Sequence, residues 1–299
     1  MRLAVVGGAG FVGRHVVRRL LDTGAAVTTI DLRSPPALLP GEEALALNLL
    51  APGEIEGAAR ALGQLDAVVW LAASIRHRLG VDATALEDLA LMVDAPLRLL
   101  RALDPAPASF VNMSSVQIYG RPVQLPIDED HPTDPFTAYG VAKLYAERVL
   151  DIAGARRGTA VASLRVAFIY GPGQHPANVL PRFLEGARRG EAPVVHGPGG
   201  DVRDDVHVGD VARAVELAAT RRARGSFNIA TGKPHTIRDV ALAVCELGPP
   251  GMEPRHDDAP SGWIDRWYRA DRAREAFGFV AETPFRAGVR AMWDAEGGR

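Results

Sequence analysis

Short β-branched and apolar runs alternate with longer helical patterns along the first half of the chain: residues 3–6, then a helical 12–21, then 27–30, and later 67–71, 109–113 and 160–166. That rhythm is the signature of βαβ units in a parallel sheet. None of the runs alternates strictly between apolar and polar positions, as expected of strands covered by helices on both faces. The pattern predicts an α/β fold with a doubly wound parallel sheet, occupying residues 1–166.

Beyond Arg165 the pattern loosens. Residues 170–176 are rich in Gly and Pro, 197–200 form another turn cluster, and 249–261 read as an extended loop. A strand-like 205–208 and a helix-like 211–219 point back to the first layer. Residues 167–299 are therefore expected to form a smaller, mainly substrate-binding domain interleaved with the first, with segments near 205–220 returning to it.

Composition narrows the partners. The 299 residues are 47% apolar and 23% charged with a formal charge of -2, which argues against a broad nucleic-acid or anionic-membrane surface and favours a small soluble ligand. A single cysteine, Cys245, excludes an internal disulfide framework and a cysteine-based zinc cluster; no metal is expected, and a reducing, cytoplasmic compartment fits. Glycines interrupt the apolar opening stretch and no small-residue cleavage site follows, so it reads as mature structure. No window approaches the roughly 18 uninterrupted apolar residues of a membrane span.

Gly7, Gly10 and Gly13 form a G-x-x-G-x-x-G run directly after the first strand and at the start of a periodic helix. Glycine permits the tight turn and lets backbone N–H groups approach a pyrophosphate, which a helix N-terminus favours. Asp31 follows at the end of the second strand, 18 positions beyond Gly13, where a carboxylate accepts the ribose hydroxyls of an adenosine and repels a 2′-phosphate. This is a Rossmann-type dinucleotide site that favours NAD, and Arg33, two residues on, keeps NADP open. An ordinary turn carboxylate is the plainer explanation of Asp31 taken alone.

Residues 137–150 carry helical periodicity, and Tyr139 and Lys143, four apart, share one face. A phenol has an ordinary pKa near 10, and a nearby ammonium is expected to lower it toward the range useful for proton transfer. Upstream, the strand 109–113 ends in Ser114 and Ser115, and hydroxyls at the carboxyl end of a parallel strand lie at the crevice where ligands bind. Ser115 is the candidate for hydrogen-bonding the reacting oxygen, with Ser114 as substitute. Strand-end serines are also turn formers, and a Tyr-x-x-x-Lys pair also arises on solvated helices.

Taken together, the motifs resemble the extended short-chain dehydrogenase/reductases, of the NAD-dependent epimerase/dehydratase family that acts on nucleotide sugars. The likeness runs almost end to end. It takes in Gly7-Gly8-Ala9-Gly10-Phe11-Val12-Gly13, Leu71-Ala72-Ala73, Ser115 with Ile118-Tyr119-Gly120, Pro135 with Tyr139 and Lys143, Leu164-Arg165, Ile169-Tyr170-Gly171-Pro172, Arg203-Asp204 before Val206-His207-Val208-Gly209-Asp210, and Asn228-Ile229-Ala230. The resemblance implies catalysis by Ser115, Tyr139 and Lys143. It also implies cofactor contacts from Gly7, Gly10, Phe11, Val12, Gly13, Asp31, Asn48, Leu49, Leu71, Ala72, Ala73, Tyr139 and Lys143, and substrate contacts from Ser115, His175, Asn178 and Arg203. In similar proteins an arginine at the place of Arg203 binds the substrate diphosphate, while an ion pair to Asp204 or Asp205 is its ordinary structural role. A homodimer is implied through helices over 83–103 and 138–153.

The departures shape the functional expectation. Phe168 stands where many such epimerases have an asparagine, Ala259 where a second arginine is common, and Val116-Gln117 where 4,6-dehydratases place an acidic pair. Dehydration is thereby disfavoured. The leading expectation is an NAD-dependent nucleotide-sugar 4-epimerase acting through a transient 4-keto intermediate. The alternative is an NAD(P)H-dependent 4-ketoreductase of a nucleotide-deoxysugar pathway, and a third is a non-catalytic dinucleotide-sensing protein, against which the Ser115, Tyr139 and Lys143 set argues.

Overall fold

The computed structural model describes residues 1–73, 85–260 and 264–297. Its first half runs β1 (Arg2–Val6), α1 (Phe11–Asp22), β2 (Ala26–Asp31), β3 (Glu42–Ala46), α2 (Glu54–Leu62), β4 (Ala67–Trp70), α3 (Ala85–Leu89), a π-helical stretch leading into α4 (Ala95–Ala102), β5 (Ser109–Ser115), α5 (Ala138–Arg157) and β6 (Ala160–Val166). There follow β7 (Phe168–Tyr170), α6 (Val179–Arg188), β8 (Val194–His196), β9 (Val202–Arg203), β10 (Asp205–His207), α7 (Val208–Thr220), β11 (Gly225–Ile229), β12 (His235–Thr236), α8 (Ile237–Cys245), β13 (Arg255–Asp257), α9 (Asp271–Phe277) and α10 (Phe285–Gly297).

Seven strands form one sheet in the order β11-β6-β5-β4-β1-β2-β3, and every pairing is parallel. This is the doubly wound Rossmann-type architecture that the apolar runs predict. Residues on α1, α7 and α9 pack one face of the sheet, including Val16, Leu20, Val211, Val215 and Phe277. Ile55, Leu99, Ala142 and Leu150, from α2, α4 and α5, pack the other. The strand order reverses between β1 and β4, so the ligand crevice of such a sheet lies outside the carboxyl ends of those two strands.

Two parts of the sheet depart from the sequence expectation. β3, with its glutamates and alanines, carries no β-branched signal, yet it pairs with β2 and buries Glu42, which takes a hydrogen bond from Thr29 at 2.6 Å and an ion pair from Arg14 at 2.7 Å. The return of the later chain is also larger and differently placed than expected. α7 packs on the first layer and β11 joins the sheet edge beside β6, whereas the strand-like 205–207 pairs with β7 outside the main sheet. A separate small core gathers Leu184, Val240, Val244, Val289 and Met292 from α6, α8 and α10. Cys245 ends α8, buried, as expected of a small apolar residue.

Candidate active site

The carboxyl ends of β1, β2 and β4 are stitched together at the switch point. The Gly7 N–H donates to the Ile30 carbonyl at 2.7 Å, and the N–H groups of Leu71 and Ala72 donate to the Val6 carbonyl at 2.8 and 3.1 Å. Gly7 turns with φ +85°, a left-handed conformation in which a side chain is strained, and a methyl group there would stand 2.7 Å from the Ala72 nitrogen. At Gly13 a methyl would collide with the Gly7 carbonyl oxygen. At Gly7 and Gly13 the turn thus has room for backbone only, and α1 begins directly after it with Gly10 as its N-cap and no side chain capping the free N–H groups. Those donors and the helix dipole suit a pyrophosphate, so the residues present fit a dinucleotide.

Asp31 closes the turn from β2: its carboxylate accepts the Ala9 N–H at 3.1 Å and the Leu32 N–H at 2.8 Å. It is half-buried and placed at the mouth of the turn. Asn48 is exposed, and its side-chain oxygen is turned onto the Leu50 N–H at 3.1 Å, while Leu49 is buried. Phe11 stacks edge-on against His15, and His15 Nε2 meets the Pro172 carbonyl at 2.9 Å, which fastens the loop after β7 to the dinucleotide turn.

Ser115, Tyr139 and Lys143 come together. Ser115 is the last residue of β5 and Thr137 caps α5, its hydroxyl accepting the Gly140 N–H at 3.1 Å, so the helix starts beside the strand end with Tyr139 in its first turn. The Ser115 hydroxyl accepts the Gln117 N–H at 3.2 Å and is also hydrogen-bonded to Tyr139. Lys143 is 1% exposed; its Nζ donates to the Met113 carbonyl at 2.6 Å and lies 5.5 Å from the centre of the Tyr139 ring.

The electrostatics correct one expectation. The phenol of Tyr139 is pushed up to about 12, not down: burial dominates, the Ser115 hydrogen bond opposes it, and the Asp88 carboxylate adds to it. Lys143 is not among the groups that lower it: its ammonium donates to the Met113 carbonyl and lies 5.5 Å from the ring centre. Burial in turn pushes the Lys143 ammonium down to about 8, against the charges of Glu147 and Asp88, which hold it up.

Spacing alone missed a support beneath this pair, although Glu147 continues the series 139, 143, 147 along one helix face. Glu147 is buried and accepts hydrogen bonds from Ser114, from Ser226 at 2.9 Å and from Arg165, whose Nη2 lies 2.9 Å away. Arg165 also donates to Tyr119 Oη at 3.0 Å, and Tyr119 donates to Asn228 Oδ1 at 2.6 Å. Burial alone would lower the Arg165 guanidinium; its bonds to Glu147 more than offset that and hold it charged. The network ties β5, α5, β6 and β11 together behind the strand end. Ser114, the substitute considered for Ser115, is spent in it.

The expected substrate residues are dispersed. His175 is exposed in the loop fastened to the dinucleotide turn, its Nδ1 accepting the Ala177 N–H at 3.1 Å, and Asn178 is the half-buried N-cap of α6. Arg203 lies on β9, where its guanidinium grips Asp205 with Nε to Oδ2 at 2.6 Å and Nη2 to Oδ1 at 2.7 Å, and stacks 5.1 Å from the Phe168 ring. His235 Nε2 adds a third contact to Asp205 at 2.7 Å. Burial would raise the Asp205 carboxyl, but Arg203 and His235 outweigh it and hold it low. The ion pair is with Asp205, not Asp204, which instead accepts N–H bonds from Thr231 and Gly232 at 2.9 and 3.0 Å.

Turn, strand-end serine and Tyr–Lys helix together define a nicotinamide-dinucleotide enzyme on a Rossmann-type sheet. The chain belongs to the NAD dependent epimerase/dehydratase family, whose sequence profile matches residues 3–230. Among curated relatives, the dTDP-6-deoxy-L-talose 4-dehydrogenase (NAD(P)(+)) of Kitasatospora kifunensis is 32% identical, with 99% of this chain and 95% of the relative covered. The UDP-glucose 4-epimerase of Thermotoga maritima, solved with UDP-glucose, superposes with a TM-score of 0.88 at 28% identity, covering 100% of this chain and 99% of that one. The UDP-glucose 4-epimerase of Thermus thermophilus, solved with NAD, gives 0.86 at 30% identity, with 100% and 99% covered.

Proposed function

We propose that the protein is an NAD-dependent nucleotide-sugar 4-epimerase acting through a transient 4-keto intermediate. The observation that carries the reading is the meeting of Ser115, Tyr139 and Lys143 at the carboxyl end of β5, in a sheet whose switch point holds a turn that admits only backbone at Gly7 and Gly13. Gly7, Gly10, Phe11, Val12 and Gly13 hold the pyrophosphate, Asp31 the adenosine ribose, and Asn48, Leu49 and residues 71–73 line the rest of the dinucleotide. When bound, NAD supplies the hydride acceptor and, once reduced, the donor.

The residues of the chain do the proton work. Ser115 holds the C4 oxygen of the sugar, and ionised Tyr139 takes its hydroxyl proton as the C4 hydrogen leaves with its electron pair, so that O–H and C–H bonds break and C=O forms. After the keto sugar turns over, the phenol returns the proton to oxygen as hydride reaches the opposite face of C4. Lys143, its ammonium 5.5 Å from the centre of the phenol ring, is assigned to the nicotinamide ribose. Arg203, His175 and Asn178 are assigned to the rest of the substrate.

A second reading, an NAD(P)H-dependent 4-ketoreductase, is favoured by one feature: the Arg203 guanidinium is already matched by Asp205 and stacked on Phe168, an altered place for a diphosphate. The proposal extends to a two-domain division at 166/167, to a cytoplasmic location, supported by the lone cysteine, and to a homodimer. Val141, Tyr145 and Ile152 are exposed along one face of α5, with Leu86 and Leu89 exposed on α3, an apolar surface suited to a second copy. The remainder of the expected dimer helix, 83–84, lies outside the described residues.

The test is incubation with UDP-glucose without added reductant, followed by proton NMR. The C4 epimer is expected, and Tyr139→Phe should slow its formation by a factor on the order of 100 or more while dinucleotide affinity stays near wild type. A Tyr139→Phe variant with full turnover contradicts the assignment.

A further inference from the structure

Among the described residues two arginines are buried, and they are held differently. Arg165 is matched by Glu147 at 2.9 Å. Arg266, 9% exposed, has no carboxylate within ion-pair reach among the described residues, and its Nε, sealed from solvent, has no hydrogen-bond partner. Its guanidinium is stacked instead on Phe136, with Cζ 5.6 Å from the ring centre, and its charge faces the Tyr268 phenol. A buried charge without a counter-ion is costly, and an apolar residue would fill the same place at lower cost. An anion that arrives from outside accounts for a guanidinium kept there.

The position of Arg266 says which anion. The residue belongs to an extended stretch pinned on two sides. On one side its N–H donates to the Val202 carbonyl of β9 at 3.2 Å, and the Asp265 carboxylate accepts the Val202 N–H at 2.7 Å. On the other, the Ile127 N–H donates to the Trp267 carbonyl and the Ile127 carbonyl accepts the Arg269 N–H, both at 2.9 Å. The guanidinium thus stands between β9, which carries Arg203, and the entry to α5, where Phe136 precedes the Thr137 cap and Tyr139 lies in the first turn. With Tyr139 at the C4 oxygen, an anion gripped beside Phe136 belongs to the reacting side of the sugar, across the ring from a diphosphate on C1. On that side a hexose carries C6, attached to C5 next to C4. Oxidised to a carboxylate, C6 presents two oxygens in a plane, the partner that a guanidinium fork matches best.

We propose that Arg266 is a specificity-determining residue that binds a sugar carboxylate, and that the substrate class is a nucleoside-diphosphate hexuronate. The proposal rests on the placing of the sugar C4 at Tyr139 given above. The stack on Phe136 fixes the plane of the guanidinium without neutralising it, which leaves its charge for the substrate. A neutral hexose leaves that charge unmatched, so the preference for a hexuronate has an attractive and a repulsive part.

Binding tests this without turnover. Tyr139→Phe protein loaded with NAD is titrated calorimetrically with UDP-glucuronic acid and with UDP-glucose, which share nucleotide and diphosphate and differ only at C6. UDP-glucuronic acid should bind about tenfold more tightly or better, the size of one charge-assisted contact. Arg266→Met in the same background, which keeps an unbranched chain on Phe136 but no charge, should bring the ratio of the two Kd values near one, and Arg266→Lys should keep part of the preference. Equal Kd values with Arg266 intact overturn the proposal, and this comparison needs no Arg266 variant to fold. A loss in Arg266→Met that falls equally on both ligands also overturns it, and places the guanidinium on the shared diphosphate. Wild-type protein incubated with UDP-glucuronic acid keeps the two readings apart: if no C4 epimer forms while the binding preference stands, the epimerase reading falls and the carboxylate site remains.

Discussion

The turn over residues 7–13 and the Arg203–Asp205–His235 cluster, which we assign to the cofactor and to the substrate, are held by different kinds of interaction. In the turn, backbone meets backbone: Gly7 fits against the Ala72 nitrogen, Gly13 against the Gly7 carbonyl, and the ends of β1, β2 and β4 are joined by N–H bonds to carbonyls. In the cluster, side chains from β9, β10 and β12 meet through charge and ring stacking, with β9 and β12 joined by only two antiparallel partner pairs. A backbone-made site tolerates almost no added atom but needs no particular partner residue. A side-chain-made site tolerates change of shape, yet its chemistry shifts as soon as one partner changes, and this is where substrate choice within a shared fold is set.

Substitutions should expose that contrast. Gly13→Ala pushes a methyl into the Gly7 carbonyl, and backbone cannot move aside cheaply. The expected cost is about 1–3 kcal/mol, read as a lower Tm and as loss of bound dinucleotide. Normal cofactor content in that variant would mean that the turn is looser than its contacts imply. Arg203→Ala should act more gently and on one side only. If the guanidinium retains a share of its charge for a diphosphate remote from the reacting carbon, the KM for UDP-glucose should rise roughly tenfold while kcat changes little. Unchanged kinetics would make the Arg203–Asp205 pair purely structural and favour a substrate held by other groups.

The same contrast explains what was legible in the sequence. The glycine turn, Asp31 and the Tyr139–Lys143 face are local patterns, fixed by the spacing of residues within one strand–turn–helix or one helix, and the fold arranges them as the pattern implies. The seventh strand, Gly225–Ile229, and the edge strand Glu42–Ala46 are poor in strand-forming signal and are held by neighbours, Phe227 pairing with Leu164 and Glu42 with Arg14. The partner of Arg203 was legible only as one of two adjacent aspartates. The Glu147–Arg165–Ser226 network joins residues 18 and 79 positions apart, which no window detects. The direction of the Tyr139 shift was misjudged for a related reason: spacing shows that a lysine is near, but burial and the aim of its ammonium depend on packing.

Cofactor retention tests the central claim most directly, because an epimerase must hold the reduced dinucleotide while the keto sugar reorients, whereas a reductase must release it each turnover. Protein purified without added cofactor and then denatured should release NAD(H), about one equivalent per chain by mass spectrometry, with no 2′-phosphate because of the Asp31 carboxylate at the mouth of the turn. Empty protein that oxidises NADPH only when a keto sugar is supplied would contradict the account.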